Sequence, residues 1–386
     1  MDKTNPLFER LKEVQNAEGF LDLVDSDFHR CGLIPPPEPF AQAFSHFLMH
    51  RTYTPWSKGC PQARLALSQF YQTQGLSLSP ENFILTAGTS EAYRLIFDAL
   101  LSPGDSVLVS RPGYPLFEEL LKAKGIGSET YSLSPSLNFA PDPFSLEAAS
   151  SHVRALILIS PHNPTGRVLN SKELIRVGSI CQERGWLLIC DEVFDLFYWG
   201  TSPLPRPAAL LPQLPILTLN GISKRFASPD LKLAWLSVSG PENWASESLK
   251  KLETLNDLYL STNSYSSQLL PKLFLELGPF QEQMKNVVQE NRELLAHSGL
   301  LNHYSTKEPK HPQTDSLWGG IHFLFPLPPS WPLNDEETAL QLLQEQKLLM
   351  HPGYLYDCPE GYLVGTFLKE PLNFKEGISR LKSTFY

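Results

Sequence analysis

The sequence is poor in three things, and each shortage narrows the field. It has no basic run, and 32 Lys and Arg against 41 Asp and Glu leave a formal net charge of −9, which argues against a nucleic-acid binder that works by neutralising phosphates. Its five cysteines, Cys31, Cys60, Cys181, Cys190 and Cys358, are an odd and scattered set with no C-x-x-C and no histidine at metal spacing. Neither a disulfide framework nor a metal site is expected. Nowhere do eighteen apolar residues follow one another, as a membrane-spanning helix would need. The opening Met1-Asp2-Lys3-Thr4 is polar and lacks the apolar core of a secretory leader. Together these shortages lead to the expectation of a soluble cytoplasmic protein with reduced thiols and no nucleic-acid or membrane partner.

What is there is apolar content, 42% of 386 residues, enough for two or three domains. The 34 prolines fall in short loops rather than in one linker. From residue 83 onward, short apolar runs alternate with helical periodicity. Strands are expected at 83–86, 106–109, 155–159, 186–190, 216–219 and 234–238, with helices after residue 89, at 116–124 and at 171–184. Such alternation means parallel strands joined by crossover helices, hence an α/β core. Helices at 246–258, 266–277 and 281–297 follow. Strands at 321–325, 348–350 and 362–367, with helices at 336–347 and 373–384, describe a smaller α+β unit. A helix at 6–18, a short strand at 20–24, the proline-rich 35–39 and a helix at 40–50 read as an arm completing that unit. The expected division is 1–50 for the arm, 51–280 for a large domain and 281–386 for the small one.

In open α/β sheets ligands sit beyond the carboxyl ends of the strands, and the unusual residues fall there. Ala87-Gly88-Thr89 opens a helix whose free N–H groups and positive end suit an anion, although Thr89 or Ser90 with Glu91 behind also makes an ordinary N-cap. Arg111-Pro112-Gly113-Tyr114-Pro115 puts an aromatic ring at the sheet's mouth, or is simply a turn. Ser160-Pro161-His162-Asn163-Pro164-Thr165-Gly166 directs the Asn163 amide, or is a routine Asn-Pro turn with His162 as part of it. Asp191-Glu192 ends a buried strand with a carboxylate, which is costly unless paired. A protonated pyridine nitrogen would be such a partner, and Asp191 would keep that ring cationic. Asn220-Gly221-Ile222-Ser223-Lys224-Arg225-Phe226 presents Lys224, a nucleophile only when its pKa is depressed and otherwise an ordinary solvated charge.

Taken together, A-G-T, P-x-Y-P, H-N-P-T-G, D-E and S-K, with 28 residues from Asn163 to Asp191 and 33 from Asp191 to Lys224, resemble the pyridoxal-phosphate-dependent aminotransferases of fold type I, class I/II. The matching covers roughly residues 50 to 367, including Gly59-Cys60-Pro61-Gln62-Ala63-Arg64, Gly319-Gly320 and Pro352-Gly353. The resemblance implies an α/β fold, with a large domain built on a mainly parallel seven-stranded sheet flanked by helices and a small α+β domain made by the C-terminus and the arm. The cofactor it implies is pyridoxal 5'-phosphate. Lys224 would form the Schiff base and move the proton, Asp191 would pair the pyridine nitrogen, Asn163 would bind the ring hydroxyl and Tyr114 would stack on the ring. Gly88 and Thr89, with Ala87's backbone and Ser223, would hold the phosphate. Tyr53 would reach the phosphate of a neighbouring subunit, which implies a homodimer with shared active sites.

Three departures from the family pattern stand out. The arginine expected eight residues after the lysine is Lys232, which keeps the charge but loses the bidentate fork; it is still assigned to the phosphate. The tyrosine expected three residues after Asp191 is Phe194, which has no phenol to donate, and this should raise the pKa of the Schiff base. In Tyr362-Leu363-Val364-Gly365-Thr366-Phe367 the pattern R-x-[ST]-F becomes V-x-T-F, so the arginine that clamps a substrate α-carboxylate is Val364. Either another base replaces it, with Arg30, Arg225 and Lys369 as candidates, or the substrate is not an ordinary α-amino acid. Trp318 is read either as a pocket wall or as a core tryptophan. The expected activity is transfer of an amino group from an amino donor to a keto acid or aldehyde. A lyase or decarboxylase on the same scaffold is the alternative, and a non-catalytic regulatory protein that retains the cofactor is a further one.

Overall fold

The computed structural model describes residues 5–301 and 317–385, so the polar opening Met1–Thr4 lies outside the described residues. The first helix, Pro6–Val14, begins where expected, with Asn5 Oδ1 accepting from the Leu7 N–H at 3.0 Å and proline at the first helical position. It ends earlier than residue 18, and a turn through Gly19 in the left-handed region leads to β1 (Leu21–Asp22).

The large sheet is built from β2 (Phe83–Thr86), β3 (Ser106–Arg111), β4 (Gly127–Ser132), β5 (Val153–Ile159), β6 (Leu187–Asp191), β7 (Ile216–Gly221) and β8 (Ala234–Ser239). Their order is β2-β8-β7-β6-β5-β3-β4, with β8 antiparallel to both its neighbours and every other pairing parallel. The parallel centre is buried on both faces because crossover helices cover each side. Along β5, Ile157 and Ile159 join the core under the helices Thr89–Leu100 and Glu242–Tyr259, while Leu156 and Leu158 join the larger core on the opposite face, as the alternation of side chains along a strand requires. β4 is the strand the apolar pattern does not reveal. Its sequence Gly-Ser-Glu-Thr-Tyr-Ser lies at the sheet edge and buries only Tyr131, whose hydroxyl donates to the Ile157 carbonyl at 2.9 Å.

The small unit holds β9 (His322–Pro326), β10 (Leu348–Leu349), β11 (His351–Pro352) and β12 (Tyr362–Thr366). β11, β12 and β9 form an antiparallel sheet in that order. The single strand expected at 348–350 is divided at Met350: β10 pairs in parallel with β1, and β11 turns to pair with β12. The arm is therefore stitched into this unit. The Leu23 N–H donates to the Leu349 carbonyl at 3.0 Å, and the Thr366 N–H donates to the Leu23 carbonyl at 2.7 Å. Helix Gly278–Ala296 packs beside helix Pro371–Phe385, and its Asn291 amide donates to the Phe367 and Lys369 carbonyls, both at 2.7 Å. Bridges from Arg167 to Trp318 and from Tyr198 to Gly319 tie the loops beyond β5 and β6 to the entry of β9. Trp318 is a core side chain, 1% exposed, and does not line the cavity described below. Among the described residues, no helix is long and apolar enough to cross a membrane.

Candidate active site

A cavity of about 330 Å³ opens at the carboxyl ends of β5, β6 and β7, between the sheet and the small unit. Of the residues singled out in the sequence, Thr89, Tyr114, Asn163, Asp191, Phe194, Ser223 and Lys224 line it. Ala87, Gly88, Lys232 and Tyr53 are not among its lining residues. Ala87 donates its N–H to Glu91 Oε2 at 2.5 Å. Gly88 is the N-cap of helix Thr89–Leu100 without a capping side chain, and a Cβ placed on it would meet nothing within 4 Å. Lys232 is exposed. Tyr53 is 74% exposed and borders a separate shallow cleft with Leu260.

Asp191 ends β6 and is buried. Its Oδ2 accepts from the Tyr93 hydroxyl at 2.9 Å and its Oδ1 from the Val193 N–H at 3.1 Å. Burial lifts the carboxyl to about 6, and the Val193 and Tyr93 hydrogen bonds pull it back only in part. No cation pairs with it among the described residues. Asn163 is buried in the loop after β5 with its Oδ1 lacking any hydrogen-bond partner. Lys224, in the short helix Ile222–Arg225 after β7, has its pKa lowered by desolvation, with Asp27 opposing, and its Nζ lies 5.9 Å from the centre of the Phe28 ring. The hydroxyls of Thr89, Ser90 and Ser223 line the cavity with no protein hydrogen bond among the described residues. A buried carboxylate lacking a cation, an amide lacking a partner, and free hydroxyls at an uncapped helix start are each short of one partner. A ring with a protonated nitrogen, a hydroxyl and a phosphate would complete all of them.

The lysine is held by a buried ion network one residue away. Arg225 pairs with Asp195, and Arg206 pairs with both Asp195 and Glu192. Arg225 also lies over the Phe70 ring at 4.3 Å. This occupies Arg225 and removes it as a substrate clamp. Arg30 pairs with Asp25 and Asp27 at the surface, and Lys369 lines a different cleft with Cys31. None of the three candidates for the missing arginine reaches the cavity. His162 is structural: its Nδ1 is 2.8 Å from Thr165 Oγ1 and its Nε2 is 2.9 Å from Ser110 Oγ, and burial holds its pKa down to about 3.

Several lining residues escaped the sequence reading: Tyr93, His322, His351 and Tyr356. Tyr93 could have been found, because it lies four residues after Thr89 and so on the same helix face. The others depend on strand register in the small unit, which the sequence does not display.

The family model for aminotransferases of class I and II matches residues 37–364. The chain is 28% identical over 318 residues to the tyrosine aminotransferase of Dictyostelium discoideum, covering 80% of this chain and 75% of that protein. It is 27% identical over 332 residues to the glutamate-pyruvate aminotransferase AlaA of Haemophilus influenzae, covering 84% and 80%. The alanine aminotransferase structure from Pyrococcus furiosus superposes with a TM-score of 0.87 at 24% identity, over 98% of this chain and 95% of that one, a likeness of fold.

Proposed function

The chain belongs to the class I and II aminotransferase family, and from that premise we infer the working parts of its site. It is a pyridoxal-phosphate-dependent aminotransferase that moves an amino group from a small donor to a carbonyl acceptor. The observation that carries the residue assignment is the convergence of Lys224, Asp191 and Asn163 on one cavity, with Asp191 and Asn163 each short of a partner. When bound, pyridoxal phosphate supplies the electron sink that makes the donor's carbon acidic. Asp191 would hold the ring nitrogen and favour its protonated form, Asn163 would orient the ring hydroxyl, and Tyr114, 45% exposed at the mouth, would lie against the ring. Thr89, Ser223 and the N–H groups opening helix Thr89–Leu100 would hold the phosphate, with Gly88 leaving room, whereas Ala87, whose N–H is taken by Glu91, and the exposed Lys232 lie outside the cavity lining. Desolvation raises the neutral fraction of the Lys224 amine, so Lys224 is the residue whose Nζ would hold the cofactor covalently and, when free of it, would carry the substrate proton. Phe194 closes one side of the site without donating a hydrogen bond.

The protein acts as a homodimer in this reading. Tyr53 lies outside its own subunit's cavity and serves the neighbouring one, and the exposed Leu48 and Met49 beside it supply apolar contact surface. All five cysteines are free thiols, which fits a reducing cytoplasm.

The test is reconstitution with pyridoxal phosphate followed by borohydride reduction and peptide mass analysis. The cofactor mass should appear on the peptide containing Lys224. Lys224→Ala should abolish that label and lower turnover by at least about 10²–10⁴-fold; label on another lysine would refute the assignment.

A further inference from the structure

The wall of the cavity supplied by the small unit is made by His322 on β9, His351 on β11 and Tyr356, with Val24 and Ser26 contributed by the arm. In the antiparallel register His351 stands opposite Val364, and His322 stands opposite Thr366. Opposed residues share a sheet face, as do residues two apart on one strand. Both imidazoles and Val364 therefore rise from the same face, with Val364 between them. His351 Nδ1 lies 3.3 Å from the Tyr356 hydroxyl. His322 packs edge-on against Phe194, ring centres 5.7 Å apart at 85°, and has no hydrogen-bond partner among the described residues. Among the described residues lining the cavity, Lys224 is the one cation.

Burial favours the neutral form of both imidazoles of this wall. Burial lowers His322 to about 3, with Lys224 and His351 acting in the same direction; burial also lowers His351, against the opposing charge of Asp22. A neutral imidazole offers one donor and one acceptor. A carboxylate brought against this wall would lose its hydration and meet no cation from its own subunit except the amine that must act as nucleophile and base. A hydroxyl, which both donates and accepts, would be satisfied.

The geometry points to a hydroxylated primary amine as the amino donor, an amino alcohol rather than an α-amino acid, with His322 and His351 binding the hydroxyl beside the amine-bearing carbon. The assignment rests on the aminotransferase reading above. The exchange balances within itself: the donor's C–N bond is replaced by C=O, and the acceptor's C=O by C–NH2, so no outside oxidant or reductant enters.

The experiment compares matched pairs, alaninol with alanine and leucinol with leucine, on the cofactor-loaded protein. It follows the cofactor's absorption, the oxo product and the imidazole nitrogen resonances of His322 and His351. The alcohol of each pair should half-saturate at least about tenfold lower and should shift both imidazoles. His351→Gln and His322→Gln should each raise the alcohol's KM about three- to tenfold while changing kcat much less. Val364→Arg should move preference toward the amino acid. Equal or better use of the amino acids, or KM values indifferent to both histidine substitutions, overturns the proposal and leaves the aminotransferase reading standing. A loaded protein that turns over neither member of either pair, nor any other amine, overturns both.

Discussion

Asp191 and the buried histidines pull the pH dependence of stability in opposite directions. Asp191 in the cofactor-free fold titrates at about 6 against an ordinary value of 3.8, because burial disfavours its charge. The folded state therefore binds that proton more tightly than the unfolded chain. The stability associated with it is complete below the ordinary value and is lost as pH rises through 6. Up to about 3 kcal/mol is at stake, and Asp191→Asn should flatten the fall in Tm between pH 4 and 7. His162 and His322, held to about 3 by burial, behave oppositely: their contribution is present above 6.5 and is lost as pH falls toward 3. Acid unfolding should thus begin below pH 6.5, and His162→Gln should shift its midpoint downward. Tyr93 tests the same carboxylate through its neighbour. Tyr93→Phe removes the 2.9 Å hydrogen bond, which raises the Asp191 pKa further. It should weaken cofactor binding by about tenfold in a direct titration.

At the scale of elements, what could be read in the sequence depended on whether a residue's role is local. The five inner strands and the buried edge strand β2 are continuous apolar runs, so all six expected strands exist, and the lysine, asparagine and aspartate at the ends of β7, β5 and β6 come together in one cavity. β4 was hidden because an edge strand needs no apolar run. The division at Met350 was hidden because it is made by two different partner strands. Arg225 looked free because its neighbours in sequence carry no acid; its partner, Asp195, is thirty residues away in the turn after β6. That network joins the ends of β6 and β7 and so fixes the short helix bearing Lys224. Asp195→Ala would leave Arg225 buried without its carboxylate and Arg206 with one partner fewer. The expected cost is about 3–5 kcal/mol, measured by denaturant unfolding, together with a fall in cofactor labelling at Lys224 even under conditions where the variant remains folded.

For the molecule as a whole, the question is whether one chain makes a complete site. Tyr53 is exposed beside Leu260 and is separated from its own cavity, while helix Glu38–Met49 leaves Leu48 and Met49 facing outward. In the homodimer reading proposed above, these apolar side chains supply its contact surface. Leu48→Glu combined with Met49→Glu should convert the dimer to monomers in sedimentation velocity and lower cofactor affinity in parallel. Tyr53→Phe should leave the dimer intact and weaken cofactor binding by about three- to tenfold, the value of one hydrogen bond to a charged phosphate. Hybrid dimers separate the two ways in which Tyr53 could act. Pairing a Tyr53→Phe subunit with a Lys224→Ala subunit gives one site that combines Lys224 from the first with Tyr53 from the second, provided the tyrosine crosses the interface. Half of the sites in the purified hybrid should then bind and react as wild type. If Tyr53 serves its own subunit, every site in the hybrid carries one of the two lesions, and no wild-type phase appears in the cofactor titration.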